Sequence, residues 1–174
     1  MPVGVNAWGT DNLILSGTNT ILLAEVDIVA LDTYVVFGAS LITSNYKRYM
    51  IRILYFTGVD LTGGLLLKFY QSGVLAAGSV YTHCLLGAAP SGAFWIQITS
   101  SISAVLDSSS RGEIIINKPD LDIPTTASAD FEFYGGASAV PVVGGGKLSL
   151  AGDIDGVTIQ GFGGDSPSLT KGKF

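Results

Sequence analysis

Hydrophobic and polar residues alternate in short runs along this chain, and glycine, serine, asparagine and aspartate separate the runs. The clearest run lies between Tyr46 and Phe56, where Tyr49, Ile51 and Ile53 share one parity and the two arginines fall on the other. A period of two is typical of a β-strand with one buried and one solvated face. No stretch of ten or more residues shows the spacing of an amphipathic helix. The pattern therefore predicts strands throughout the chain.

Other strands are predicted from the same alternation or from β-branched runs. They are Asn12–Leu15, Thr20–Leu31, Tyr34–Ile42, Leu65–Gln71, Val80–Leu86, Phe94–Thr99, Gly112–Asn117, Asp130–Tyr134, Lys147–Leu150 and Gly156–Phe162. We expect loops at Thr57–Gly64 and Gly87–Gly92, a turn at Ser72-Gly73, and Gly-rich connectors at 135–146 and 161–164. About ten short strands at this spacing indicate an antiparallel β-sandwich or barrel.

A chain of 174 residues is long enough for one domain with its own core. We predict an N-terminal arm with a first strand at 1–20, a β-sandwich at 21–164 and a C-terminal tail at 165–174. Both ends are largely polar and would fray if they were left alone. We therefore expect neighbouring subunits to hold them as extended arms.

Charge is scarce, since charged residues make up 13% of the chain and apolar residues 48%. A membrane protein, a domain with an uncharged Ser, Thr and Gly surface, and a subunit that buries its exterior against partners would all have this composition. The apolar runs are shorter than the roughly 18 to 20 residues of a membrane-spanning helix. The start Met-Pro-Val-Gly also lacks the basic and apolar regions of a signal peptide. We expect no membrane insertion.

The net charge of −5 argues against nucleic acid as a partner, because the few basic residues form no patch. Cys84 is the only cysteine, which excludes a disulfide within the chain. We expect it to act as a small buried hydrophobic residue.

Reactive residues are few. His83 is the only histidine and neighbours Cys84, but adjacent residues of a strand point to opposite faces and cannot form a nucleophile–base pair. Two such residues are also too few for a zinc site. Asp120 and Asp122 are spaced like a carboxylate pair of a glycoside hydrolase, yet acids between prolines are more typical of solvated turns. We therefore predict no enzymatic activity, no catalytic residue and no cofactor.

Asp153 and Asp155 leave one alternative open. Two carboxylates two residues apart resemble a fragment of a calcium loop, although the other ligand positions are missing. Asp155-Gly156 before Val157 is also typical of a turn into a strand, in which glycine takes a positive φ. We favour the turn and predict no metal site, and calcium binding near these acids stays an open question.

Aromatic side chains suggest a different kind of site, because exposed tryptophan and tyrosine stack on sugar rings and anchor protein interfaces. Trp8 lies in the polar N-terminal arm, and Tyr70 lies near the end of a predicted strand. Trp95 stands between Phe94 and Ile96, a context more typical of a core. We take Trp8, Tyr70, Trp95 and Phe174 as the candidate interface or ligand anchors.

Four segments carry a family resemblance. They are Tyr46–Ile53, Leu65–Gly73, Gly112–Pro119 and Ile154–Ile159, with Tyr81 between the second and the third. Their order resembles a pattern common in virion proteins of tailed bacteriophages, the small β-sandwich domains of tail fibres, head fibres and capsid decorations. The resemblance extends from about Phe37 to Phe162, and the chain departs from the pattern by continuing after its last predicted strand.

The resemblance implies a single antiparallel jelly-roll-like β-sandwich with extended N- and C-terminal arms. It also implies a homotrimer located on the virion, assembled in the host cytoplasm, and used for capsid decoration, stabilisation or host attachment. The partners would be other copies of the chain, other virion proteins through the arms, and a host-surface glycan. Low charge agrees with this, since obligate interfaces are depleted in charge. The alternative is a carbohydrate-binding module that recognises a receptor with stacked aromatics.

Overall fold

The computed structural model describes residues 23–29, 34–38, 41–42, 46, 48–59, 64–76, 81–85, 91–93, 96–97, 111–117, 125–135, 138–148, 152–163 and 168–174. Every regular element within these ranges is a β-strand, which confirms the all-β prediction. The strands are β1 (Asp27–Ile28), β2 (Tyr34–Phe37), β3 (Arg48–Ile53), β4 (Tyr55–Val59), β5 (Gly64–Gln71), β6 (Val74–Leu75), β7 (Tyr81–Leu85), β8 (Ser91–Ala93), β9 (Ile96–Gln97), β10 (Arg111–Asn117), β11 (Thr126–Gly135), β12 (Ser138–Leu148), β13 (Gly156–Phe162) and β14 (Ser168–Lys173). The described part of the chain holds no helix that could cross a membrane.

The strands form three antiparallel sheets. The six-stranded sheet has the order β3-β10-β11-β12-β7-β8, and the three-stranded sheet has the order β1-β14-β4. The five-stranded sheet has the order β2-β13-β5-β6, with β9 as a second neighbour of β5. Since every described pairing is antiparallel, the prediction of an antiparallel β protein is confirmed.

Alternation of side chains decides which face of each sheet meets the core. In β3, Tyr49, Ile51 and Ile53 are buried while Arg48, Met50 and Arg52 are exposed, as the pattern predicts. The inward residues of all three sheets join in one buried hydrophobic cluster. Each sheet therefore keeps an outer face that faces away from this cluster.

Aromatic pairs link strands of different sheets across the core. Tyr81 of β7 stacks on Phe69 of β5 with ring centroids 6.4 Å apart. The Phe69 N–H donates to the Tyr81 hydroxyl at 3.0 Å, and that hydroxyl donates to the Ala76 carbonyl at 3.2 Å. Phe56 of β4 meets Phe131 of β11 edge to face, also at 6.4 Å. The six-stranded sheet thus contacts both other sheets through large buried rings.

The prediction of one strand from Tyr46 to Phe56 is wrong. β3 ends at Ile53 and β4 begins at Tyr55 in a different sheet, with Leu54 between them. The buried parity changes there, because Ile53 and Phe56 are both buried although they are three residues apart. The loop predicted at Thr57–Gly64 is accordingly shorter, since β4 continues to Val59 and β5 begins at Gly64.

The prediction of a Gly-rich connector at 135–146 is also wrong. Most of that segment belongs to β12, which pairs with β11 from Ser138 to Lys147. A Cβ built on Gly145 would lie 2.7 Å from the Ala127 carbonyl oxygen of β11. The glycines therefore permit a close approach of two strands, a second use of glycine besides turns. The loop predicted at Gly87–Gly92 differs too, because β8 begins at Ser91.

The C-terminal segment, predicted as a tail, is from Ser168 onward a strand of its own chain. β14 pairs with β1 on one side and β4 on the other. Leu169 is fully buried, and Phe174 and Val26 exchange main-chain hydrogen bonds of 2.9 and 2.8 Å. The apolar residues of this segment thus complete the core inside the chain. The N-terminal arm at 1–20 lies outside the described residues.

Candidate functional site

Two of the four candidate anchors fall on described residues. Phe174 is 6% exposed and belongs to the buried cluster, so its side chain contacts the core of its own chain. Tyr70 is half-buried on β5, with the opposite parity to the buried Phe69. It therefore lies on the outer face of the five-stranded sheet. Trp8 and Trp95 lie outside the described residues.

The Tyr70 ring is positioned by a glycine on the neighbouring strand. Tyr70 pairs with Gly156, the first residue of β13. A Cβ on Gly156 would lie 3.2 Å from Tyr70 Cδ2 and 3.1 Å from the Phe37 carbonyl oxygen. The missing side chain thus lets the ring lie close to the backbone of β13. The prediction of a positive φ at Gly156 is wrong, because this residue is already part of the extended strand β13. Among the residues just before β13, Gly152 has a positive φ, of 131°.

Tyr70 belongs to a side of the five-stranded sheet, opposite to the core, that we call the tyrosine face. It consists of Tyr34 and Val36 on β2, Thr158 and Gln160 on β13, and Leu66, Lys68 and Tyr70 on β5. Leu66 and Thr158 at its centre are buried, at 2% and 4% exposed. Tyr34 lies beside Gln160 and is 37% exposed, whereas Thr158 lies between Val36 and Lys68. The two tyrosines flank β13 about 13 Å apart along its axis. Two aromatic rings with an amide and an ammonium group on the same side of the sheet are suited to stacking on and hydrogen bonding with a sugar.

Thr158 has an unused hydroxyl at the centre of this face. Its residue is 4% exposed, and its Oγ1 has no hydrogen-bond partner in the described part of the chain. Buried polar atoms are normally paired, and an orphaned one requires an explanation.

The loop before β13 supports the turn that follows Tyr70. Asp155 Oδ2 accepts a hydrogen bond of 2.6 Å from the Gly73 N–H, and the Asp155 N–H donates to the Tyr70 carbonyl at 3.0 Å. Ser72 and Gly73 have φ values of 52° and 73°, which confirms the predicted turn. One carboxylate oxygen of Asp155 is thus committed to the fold. No group of three or more metal-ligating side chains was found among the described residues.

The other reactive residues that the sequence raised are the adjacent pair His83 and Cys84 and the two acids Asp120 and Asp122. His83 and Cys84 lie on β7, as predicted, at the positions that pair with Gly146 and Gly145. Asp120 and Asp122 lie outside the described residues.

A shallow groove of about 250 Å³ lies on the three-stranded sheet, between Val29, Tyr55 and Lys171. The Lys171 ammonium lies 5.9 Å from the Tyr55 ring centroid, and Lys173 forms a 2.7 Å ion pair with Glu25. Hydrogen bonding to Glu25 raises the pKa of Lys173. The groove offers one aromatic ring, that of Tyr55, whereas the tyrosine face offers two, so the tyrosine face is the better candidate for a ligand site.

Sequence reasoning identified Tyr70 but missed its companions. Tyr34 and Gln160 lie about 126 residues apart in sequence and meet only because β2 pairs with β13. The Asp155–Gly73 hydrogen bond joins two turns that the sequence presents separately. No protein-family model, curated protein or solved structure matches this chain.

Proposed function

We propose that this chain is a structural protein of a bacteriophage virion, a homotrimeric capsid decoration, head fibre or tail-attached appendage. One observation carries the proposal. The four segments of the family resemblance correspond to β3, β5, β10 and β13 of the structure. All four strands pair in the two larger sheets, which supports the β-sandwich part of the proposal.

The proposal includes a jelly-roll-like sandwich built from the two larger sheets. Its support is the Phe69–Tyr81 stack, which links β5 to β7 across the buried cluster. The residues at 1–20 would act as an arm towards other virion proteins, and assembly would take place in the host cytoplasm. The work of the protein is then assembly, stabilisation and attachment, with no catalysis and no cofactor.

Light scattering coupled to size-exclusion chromatography tests the proposal. A homotrimer has three times the chain mass of 18.0 kDa. We expect the purified protein to have this trimer mass at micromolar concentrations of the chain. A monomer at every concentration measured would overturn the trimeric virion protein. Mass spectrometry of purified particles would then locate the chain on head or tail.

Carbohydrate binding is a second candidate function, favoured by the tyrosine face. Tyr34 and Tyr70 offer two rings on one side of a sheet, with Gln160 and Lys68 between them. In the virion context this face would recognise a host-surface glycan. As a free module it would do so without assembly.

A glycan array with matched variants tests this second function. We expect Tyr34→Ala and Tyr70→Ala to abolish the array signal, because a sugar ring stacks on the aromatic ring that each substitution removes. Tyr46→Ala is the control, since Tyr46 and Tyr34 are both 37% exposed and Tyr46 packs edge to face on Tyr49 instead. No signal from the wild type, or an equal loss with the control, would count against sugar binding.

A further inference from the structure

The outer face of the six-stranded sheet is organised in rows that cross four strands. The middle row consists of Met50, Ile115, Ser128 and Gly145, each paired with the next across β3, β10, β11 and β12. Met50 is 46% exposed, and Ser128 is exposed. This row carries no charge. Over β11 and β12 the row is low, because Ser128 has a small side chain and Gly145 has none.

A basic row lies on one side of the middle row. It consists of Arg48, Asn117, Thr126 and Lys147, in register on the same four strands. The formal charge is +2. Within the described ranges neither Arg48 nor Lys147 has an ion-pair partner. Asn117 and Thr126 between them share a 3.4 Å hydrogen bond.

An acidic row lies on the other side, about 7 Å from the middle row. It consists of Arg52, Glu113, Asp130 and Val143. Its formal charge is −1, because one arginine stands against two acids. Arg52 Nη2 pairs with Glu113 at 2.9 Å, whereas Asp130 has no ion-pair partner among the described residues. Glu113 and Asp130 are direct cross-strand neighbours, and like charges in that position repel.

A cation in addition to Arg52 would relieve the repulsion between Glu113 and Asp130. Arg48 and Lys147 of the basic row are cations without an ion-pair partner among the described residues. The two rows of one molecule lie about 14 Å apart, on opposite sides of the middle row. They are too far apart to pair within one sheet. A second copy of the chain supplies the cation when its basic row comes to the acidic row of the first.

We propose that this face is the contact between copies of the chain. A rotation axis parallel to the middle row brings the basic row of one copy against the acidic row of the next. Asp130 then faces the next copy's Thr126, with the next copy's Lys147 one strand away. Arg52 faces the next copy's Arg48, and Glu113, which already pairs with Arg52, lies one strand from that second arginine. The uncharged middle rows lie towards the axis. That three copies close into a ring rests on the proposed homotrimer. The contact between the basic and acidic rows goes beyond that proposal.

Charge reversal tests the contact. Asp130→Lys places like charges at the seam, and so does Lys147→Glu, so each variant should weaken assembly by about tenfold or more. The double variant exchanges the two signs and should restore assembly to within about threefold of the wild type. Lys171→Glu is the matched control, because it makes the same charge change on the exposed face of β14 and should leave assembly unchanged. Analytical ultracentrifugation gives the dissociation constants, and far-UV circular dichroism checks the fold.

Cross-linking provides a second readout that does not depend on a loss of assembly. In a Cys84→Ser background, copies with Thr126→Cys and copies with Asp130→Cys are mixed and treated with a short bis-maleimide. We expect a cross-linked pair only in the mixture or in the double-cysteine chain. A wild-type oligomer that resists charge reversal and forms no cross-link would overturn this face as the contact while the proposed function stands. A monomeric wild type would overturn both.

Discussion

The Tyr81 hydroxyl takes part in two hydrogen bonds inside the core, from the Phe69 N–H and to the Ala76 carbonyl. Burial raises the pKa of this hydroxyl above its ordinary value of 10.0, and the hydrogen bond from Phe69 acts in the opposite direction. The folded chain therefore holds the proton more tightly than the unfolded chain does. The contribution of this hydroxyl to the free energy of unfolding is fully present below pH 10. It is lost as the pH rises above that value, because the unfolded state loses the proton first.

Tyr81→Phe should lower the free energy of unfolding at neutral pH by about 1 to 3 kcal/mol, since the Phe69 N–H loses its acceptor in the core. The same variant should lose less stability between neutral and strongly alkaline pH than the wild type does. Urea unfolding across that pH range measures both effects. Tyr46→Phe, at an exposed position, should change stability by less than about 0.5 kcal/mol. Equal stability of Tyr81→Phe and the wild type would show that the hydrogen bonds contribute nothing.

Gly145 tests the close approach of β11 and β12. Gly145→Ala should destabilise the fold by about 1 to 3 kcal/mol, because the new Cβ meets the Ala127 carbonyl oxygen at 2.7 Å and the strands must separate. Gly38→Ala is the matched control, since a Cβ there meets nothing within 4 Å. Chemical denaturation gives both values. If the two variants unfold alike, the close contact is not a constraint.

At the scale of elements, the sequence predicted strands best where alternation was strong. β5, β10 and β13 have nearly the predicted bounds. β12 was missed because Gly144, Gly145 and Gly146 have no side chains with which to show a period, and their role depends on the small residues of the partner strand. The division between β3 and β4 at Leu54 was missed because it needs knowledge of which sheet each half joins.

The last strand, β14, was predicted as an arm because its polar residues conceal the buried positions Leu169 and Phe174. Phe174→Ala should lower the free energy of unfolding by about 3 kcal/mol or more, as for other buried phenylalanines. Phe162→Ala, at a residue 38% exposed, should cost less. Thermal unfolding and light scattering should be measured together. Unchanged stability with loss of the oligomer would instead identify Phe174 as the interface anchor that the sequence predicted.

At the scale of the whole molecule, the three outer faces differ in chemistry. The face of the three-stranded sheet carries cations that contact their own chain, as Lys173 does with Glu25. The tyrosine face carries rings and hydrogen-bonding groups, and the face of the six-stranded sheet carries rows of opposite charge. Of the tyrosine face, the sequence identified Tyr70, but Tyr34 was not distinguished from the other tyrosines. Parity predicts which way a side chain points, but only strand order tells which side chains share a surface.

The rows of opposite charge predict how assembly depends on salt. Screening shortens the range of electrostatic attraction from about 10 Å at 0.1 M to about 3 Å at 1 M ionic strength. We therefore expect the dissociation constant of the oligomer to rise across that range in sedimentation experiments, while the unfolding midpoint of the subunit changes little. Tighter assembly in high salt would show that burial of Met50 and Ile115 in the middle row is the main driving force, and would contradict pairing of the rows.

The position of β14 between β1 and β4 has a mechanical consequence. Hydrogen bonds of an antiparallel pair lie perpendicular to the strands. A force along β14 therefore loads the bonds on both of its sides in shear, and they must break together. β8 lies at the edge of the six-stranded sheet with a single described neighbour, and a force across it opens its bonds one after another. The subunit thus resists a force along β14 better than a force across β8.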